Sequence, residues 1–426
     1  MDLKNYVYDY IRDGQKYELK KIRRFLELLG NPQNDFFAIH ISGTNGKGST
    51  STYLEHILHK SGMTVGKFTS PHLVSYNERI RVDCQNISDQ DFAEIKPIID
   101  KASEKIEKEF DVKPSFFEIV TAIAYYYFSL RKVDVAVVEV GLGGRLDATN
   151  TLDRSISVVT NVAKDHTGIL GKRLENIAYE KMSILKKGSA FFTAEKRKNI
   201  YEKFRRHARI MDSEFYRRGE HFRTRIKRQD FDKTVFDYYD HTGKLKDIII
   251  TMPGRHQVEN ASLAIRVAGY LNVSEQDISD GIRDAKFPGR LEIVSREPLI
   301  IMDGAHNQAG MKTLTDYIDR FFKGKKVIFL SSILRDKDGD YFFSQMARRG
   351  KRMILTGIDN KRMMAPSDMK EYAGKYFKEY VYFNSSEKAL LSALNALNKA
   401  DVLIVTGSLY LLGEIKRQLT NIKLLS

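Results

Sequence analysis

The run Ile39-His40-Ile41-Ser42-Gly43-Thr44-Asn45-Gly46-Lys47-Gly48-Ser49-Thr50 joins an apolar strand pattern to a glycine-rich turn and then to a helix pattern, with one lysine at the junction. Glycines let successive backbone N–H groups turn inward on an anion, and the helix that follows presents its positive end. Lys47 adds a mobile charge beside the hydroxyls of Ser49 and Thr50, which can reach a Mg2+ ion. The ligand predicted by this pattern is a nucleoside triphosphate. The spacing is a compact variant of the common phosphate loop, because Ile41 stands where a first glycine belongs and Gly48 separates Lys47 from its hydroxyl partner.

A chain of 426 residues with 42% hydrophobic content can bury full cores and is long enough for two or three domains. No apolar run approaches the roughly 20 residues that span a bilayer, and the start, Met1-Asp2-Leu3-Lys4-Asn5-Tyr6, is acidic and polar where a signal peptide needs an apolar core. A cytoplasmic protein with no membrane partner is expected. Cys84 is the single cysteine, which excludes an intramolecular disulfide and a thiolate zinc cluster, so any metal must sit on oxygen and nitrogen ligands.

The net charge of +15 suits nucleic acid, an acidic surface or small polyanionic substrates. Much of the excess is local, in Lys196-Arg197-Lys198, Arg205-Arg206, Arg217-Arg218, Lys227-Arg228, Arg348-Arg349 and Lys351-Arg352. Solvated faces are expected there, since no RNA-binding signature or zinc-finger spacing accompanies them, and a nucleic-acid partner is disfavoured.

Tyr17 to Leu29 carries Leu19, Ile22, Leu26 and Leu29 at near-helical spacing and closes on Gly30 and Pro32. After the glycine loop a helix pattern runs to Gly62, and Thr64 to Thr69 reads as a strand. A helix is predicted over about Phe116–Leu130, a doubly buried strand over Val133–Val140, a further strand over Ile156–Thr160 and a helix over about Leu174–Leu185. The stretch near 195–252 is polar and weakly patterned, with Phe231–Tyr239 and Ile248–Met252 resembling strands of a small antiparallel addition. A helix near Asn260–Leu271 follows. Beyond the turn Phe287-Pro288-Gly289-Arg290 the alternation restarts, with strands at Leu299–Met302, Val327–Leu330, Met353–Thr356 and Val402–Thr406. The expected fold is α/β: an N-terminal P-loop ATPase domain with a mainly parallel sheet over 1–288, and a smaller Rossmann-like α/β domain over 289–426.

Glu139 ends an apolar strand just before Gly141-Leu142-Gly143-Gly144-Arg145-Leu146-Asp147, where a buried carboxylate is costly unless it is paired or holds a metal. His166 and Ser70 also follow strands. Arg290 and Asp303 lie on the second domain's side, where an ordinary linker arginine and a helix N-cap are the simpler alternatives.

Together with Thr69-Ser70-Pro71-His72-Leu73, Glu78-Arg79-Ile80, Glu139 to Asn150, Asp165-His166, His256-Gln257, Asn260-Ala261, Pro288-Gly289-Arg290, Asp303-Gly304-Ala305-His306-Asn307 and Thr406-Gly407-Ser408, the loop resembles the Mur ligase superfamily. Its branch is that of folylpolyglutamate synthase, often bifunctional with dihydrofolate synthase. The resemblance implies an amide ligase in which ATP phosphorylates a terminal carboxylate and the amino group of L-glutamate attacks the acyl phosphate. A reduced folate, L-glutamate, ATP and Mg2+ are the small molecules implied, and a monomer is the family's usual form. Ser70, Glu139 and His166 resemble the family's Mg2+ ligands. Gly43, Thr44, Asn45, Gly46, Lys47, Gly48, Ser49, Asn260, Arg290 and Asp303 resemble its ATP contacts. Lys181 matches the family's carbamylated lysine, and a helical surface lysine is its simpler alternative. His306 and Ser408 resemble residues around the incoming glutamate, and Pro71, His72 and Arg79 resemble part of the folate cleft. The rival readings are a sister ligase acting on a cell-wall precursor and, more remotely, a P-loop nucleic-acid-binding ATPase.

Overall fold

A computed structural model describes residues 2–8 and 18–422 of the chain. It divides into two compact units, one of residues 1–227, 235–250 and 257–285, the other of 228–234, 251–256 and 286–426. Among the described residues no helix is long and apolar enough to cross a membrane.

The first unit is built on strands β1 Phe37–Ser42, β2 Val65–Phe68, β3 Ile80–Val82, β4 Gln85–Asn86, β5 Val135–Glu139, β6 Ser155–Val159, β7 Ala190–Thr193 and β8 Glu214–Arg217, in the order β4-β3-β2-β5-β1-β6-β7-β8. From β2 to β8 every neighbouring pair is parallel; β3 and β4 form an antiparallel edge. The central strands β2, β5 and β6 are buried along their whole length, and β5 up to Glu139 carries the continuous apolar run expected of such a strand. β1 lies between β5 and β6, pairing Ile41 with Glu139 and Ser42 with Val159, so three strand ends open side by side.

The predicted amphipathic helix occupies Leu19–Leu28, burying Ile22, Phe25 and Leu26; its expected start, Tyr17, lies outside the described residues. The helix Phe116–Leu130 begins at a capping box in which Ser115 and Glu118 satisfy each other's amides.

The expected β-rich addition near 195–252 is narrower than its polarity suggested. Residues 198–217 hold the helix Lys198–Ile210 and β8, which continue the main sheet. That helix buries only Ile200, Phe204 and Ala208, too thin an apolar stripe to stand out among its charges. The separate three-stranded sheet comprises β9 Phe222–Gln229, β10 Thr234–Asp240 and β11 Gly243–Ile250, with β10 in the middle. The basic clusters are largely ion-paired: Arg197 with Glu195, Lys196 with Glu259, Arg205 and Arg217 with Glu220, and Arg349 with Asp319.

One helix contact is close enough to test. Gly281, in the helix Glu275–Asp284, faces the helix Lys47–Lys60, and a Cβ at this position would lie 2.4 Å from Ile57 Cα. Alanine normally gains up to about 1 kcal/mol over glycine inside a helix. Here the backbone stands in the way, and Gly281→Ala is expected to cost about 2 kcal/mol in urea denaturation; a stabilised variant would refute the contact.

The second unit carries β12 Glu292–Arg296, β13 Leu299–Asp303, β14 Val327–Ser331, β15 Arg352–Thr356, β16 Glu379–Phe383 and β17 Val402–Thr406, in the order β12-β13-β17-β14-β15-β16. All pairs are parallel except β12 with β13. The four strands read from sequence are the inner ones. β12 and β16 are edge strands, and β16 is exposed to half-buried along its length, which erases the apolar run that marks its neighbours.

Candidate active site

The loop after β1 is held from below by the segment after β6. Thr160 Oγ1 and Asn161 Nδ2 donate to the Asn45 carbonyl at 2.7 and 2.9 Å, Asn161 Oδ1 accepts from the Asn45 amide at 3.1 Å, and Thr44 Oγ1 accepts from the Ala163 amide at 2.8 Å. Gly43 and Gly46 have φ of +148° and +88°. A Cβ on Gly43 would meet Thr160 Oγ1 at 1.8 Å, and one on Gly46 would meet Asn260 Oδ1 at 2.3 Å. Both glycines are therefore required twice, by conformation and by space. Gly46 is the N-cap of the helix Lys47–Lys60, so the loop delivers the helix's free amides to its mouth. Asn260 donates to Gln257 Oε1 at 3.0 Å and Gln257 donates to Ser49 Oγ at 3.2 Å, which brings Asn260 and Ser49 into one buried chain.

Two lysines from distant parts of the sequence meet here. Lys47 Nζ and Lys181 Nζ both donate to the Gly43 carbonyl, at 3.1 and 3.0 Å. Lys181 is buried, and burial, with Lys47 adding its charge, pulls its ammonium down to about 7. At neutral pH this amine is therefore partly unprotonated. On the other side of Lys47 lies Glu139 at the end of β5, its Oε1 3.8 Å from Nζ. Glu139 Oε2 accepts from Thr69 Oγ1 and, at 3.4 Å, from the Ser70 amide. Ser70 and Glu139 are thus neighbours.

His166 is placed differently. Its backbone has a φ of +48° and its carbonyl accepts from the amides of Ile169 and Leu170, starting a one-turn helix, while its half-exposed ring lies 4.0 Å from Asp165. Among the described residues it belongs to no trio of His, Cys, Asp or Glu atoms close enough to share an ion.

The segment from Ser70 to Arg79 forms a lip held by its own side chains. The Glu78 carboxylate accepts from the amides of Leu73, Val74 and Ser75. Arg79, itself buried, donates from Nε to His72 Nδ1 at 2.9 Å, and its guanidinium lies over the rings of Phe116 and Tyr76. Pro71, joined to Ser70 by a cis peptide bond, leads into this lip.

Arg290, Asp303, His306 and Ser408 form their own group in the second unit. Asp303 ends β13 opposite Thr406 of β17. Its carboxylate accepts from the amides of Leu291 and Ala305, and burial pushes it up to about 6 despite the Arg290 guanidinium nearby. Arg290 packs 5.5 Å from the Phe287 ring and so close to Gly304 that a Cβ there would meet its Nη1 at 2.4 Å. His306 Nδ1 faces the Gly304 carbonyl at 2.8 Å, and the Ser408 hydroxyl caps the helix Leu409–Asn421.

Sequence reasoning missed Thr69, Thr160, Asn161 and Gln257 as supports of the site. Thr69 had a signal in its place beside Ser70; Thr160 and Asn161 end a strand next to the loop only once the strand order is known.

A parallel sheet whose central strand feeds a glycine loop and a helix N-terminus, with a lysine pair and a strand-end carboxylate around it, defines a phosphate-handling α/β protein. Two family descriptions match the chain: Mur ligase middle domain over residues 41–268, and Mur ligase, glutamate ligase domain over residues 289–409. The dihydrofolate synthase/folylpolyglutamate synthase of Bacillus subtilis is 30% identical, over 98% of this chain and 98% of its own. The crystal structure of folylpolyglutamate synthase from Thermotoga maritima is 34% identical, with a TM-score of 0.88 over 99% of this chain and 97% of that one. E. coli FolC in complex with DHPP and ADP is 28% identical, with a TM-score of 0.89 over 99% of both chains. The chain belongs to the folylpolyglutamate synthase/dihydrofolate synthase family of the Mur ligases.

Proposed function

We propose that this chain joins L-glutamate to the γ-carboxylate of a tetrahydrofolate at the expense of ATP, and that dihydropteroate is a second acceptor. The observation that carries the reading is the convergence of Lys47 and Lys181 on the Gly43 carbonyl beside Glu139. The second acceptor is supported by the double name of the Bacillus subtilis relative and by the DHPP in the E. coli complex. Residues 1–288 then bind ATP and the folate, and 289–426 bring glutamate.

ATP occupies the loop Gly43–Ser49, with its phosphates on the helix amides, Lys47 on the moving phosphoryl group, and Asn260, Arg290 and Asp303 as further contacts. The donor set suits Mg2+: Glu139 is a buried carboxylate whose Oε1 has Lys47 only at 3.8 Å, and the neighbouring groups are hard oxygens. Ser70 and Glu139 would hold the ion, His166 entering as a third ligand by the resemblance, and the ion would neutralise phosphate charge as the acyl phosphate forms. Lys181, drawn toward neutrality, adds its nitrogen to CO2 with loss of a proton, and the resulting carbamate presents an anion on the metal side. Pro71, His72 and Arg79 line the folate cleft; His306 and Ser408 orient the glutamate whose amine displaces phosphate. A cytoplasmic monomer without a nucleic-acid or membrane partner completes the reading.

Phosphate release from Mg-ATP with L-glutamate, with products checked by mass, tests it. Turnover is expected with tetrahydrofolate and with dihydropteroate. Turnover with tetrahydrofolate alone refutes the second activity, and turnover only with a UDP-linked cell-wall precursor refutes the folate reading.

A further inference from the structure

Lys67 is a lysine inside β2 with 1% of its surface exposed. Its Nζ donates to two acceptors on the helix Lys47–Lys60, Glu55 Oε2 and Thr52 Oγ1, each at 2.9 Å. Glu55 is fully buried and is also paired with Arg81, Nε to Oε1 at 3.1 Å. One carboxylate therefore faces two cations, although one suffices for charge balance, and Arg81 keeps part of its side chain in water. Burying the second cation costs desolvation, which depresses the Lys67 ammonium below its usual range. Charge balance does not account for that cost. Metal binding does not either: Glu55, His56 and Cys84 bring ligand atoms within 4.8 Å, but both Glu55 oxygens face cations and burial pushes the Cys84 thiol up to about 11.

What Lys67 supplies beyond charge is a relay into the loop's helix. Thr52 Oγ1, which accepts from Lys67, donates onward to the Gly48 carbonyl at 2.8 Å, in the first turn after Lys47. Two and three residues beyond Lys67 stand Thr69 and Ser70, both donating to Glu139. The relay thus ties the strand that carries the Glu139 partners to the turn that carries Lys47 and Ser49. The geometry points to Lys67 as a positioning residue that fixes the phosphate loop relative to the Thr69–Ser70–Glu139 group. This rests on the ligase reading above. Because both sides act on the moving phosphoryl group, the relay acts on kcat more than on substrate affinity.

Lys67→Met in the full-length protein leaves Glu55 and Arg81 as a balanced pair. Its Tm is expected to equal or exceed the parent's, its KM for ATP, folate and glutamate to stay within about two-fold, and its kcat to fall about ten-fold. Thr52→Val breaks the relay at its next link and is expected to give the same loss of kcat, with the double variant no slower than either single one. An unchanged kcat in Lys67→Met overturns the proposal, as does a lowered Tm with a normal kcat per folded molecule. A failure of the ligase reading shows separately, as absence of folate-dependent phosphate release in the parent. The comparison is then made on basal phosphate release from Mg-ATP, where the same ten-fold loss is expected and an unchanged rate overturns the assignment.

Discussion

Lys47→Ala is expected to lower folate- and glutamate-dependent ATP turnover by about a thousand-fold or more while leaving the far-ultraviolet spectrum and the Tm near those of the parent. Among the described residues the lysine donates one hydrogen bond, to the Gly43 carbonyl, which Lys181 also reaches, so that oxygen keeps a nitrogen donor in the variant. What the variant loses is the mobile charge between Gly43 and Glu139, where transferred phosphate charge would build up. Nucleotide affinity should fall far less than kcat, because the helix amides and the loop backbone remain. Glu139→Ala should be as slow, and raising Mg2+ should recover part of its rate. Near-parental turnover in Lys47→Ala would remove the phosphate-loop assignment, and in Glu139→Ala the metal assignment.

Lys181→Met should separate stability from activity. The folded-state pKa of Lys181 lies near 7, against about 10.4 when unfolded. Between these values the unfolded chain holds a proton that the folded chain has released, so this group makes stability rise with pH across the window and imposes its full penalty below pH 7. Methionine removes the penalty, so the gain in Tm over the parent should be largest at pH 7 and below and should shrink toward pH 10. Turnover should fall about a hundred-fold or more through loss of the proposed carbamate. In the parent, turnover in CO2-depleted buffer should drop and bicarbonate should restore it, more completely above pH 7 where the amine is neutral; the variant should ignore bicarbonate. A parent indifferent to CO2, with no carbamate signal from carbon-13 bicarbonate, would defeat the modification.

The phosphate loop was legible because its requirements are local. Glycines at positive φ, a lysine at a helix start and an apolar strand before them are properties of adjacent residues, and the strands β1, β5, β6, β13, β14, β15 and β17 were legible for the same reason: burial leaves short runs rich in apolar residues. The edge strands β12 and β16 and the helix Lys198–Ile210 were not, because half-buried elements share their composition with loops.

Sequence alone therefore determined a glycine-lined loop between a buried strand and a helix of an α/β domain, a second α/β alternation after Pro288, and membership of the folate branch of the Mur ligases. Tertiary structure alone decided which residues act on one another. The order β5-β1-β6 sets Glu139 beside the loop and Thr160 beneath it, and the same Gly43 carbonyl draws in Lys181 from 138 positions away. Burial, which depends on the whole sheet and its covering helices, then decided that Lys181 approaches neutrality and that Lys67 is an interior cation. Strand order and desolvation are collective properties of the packed chain, and no local run of residues encodes them.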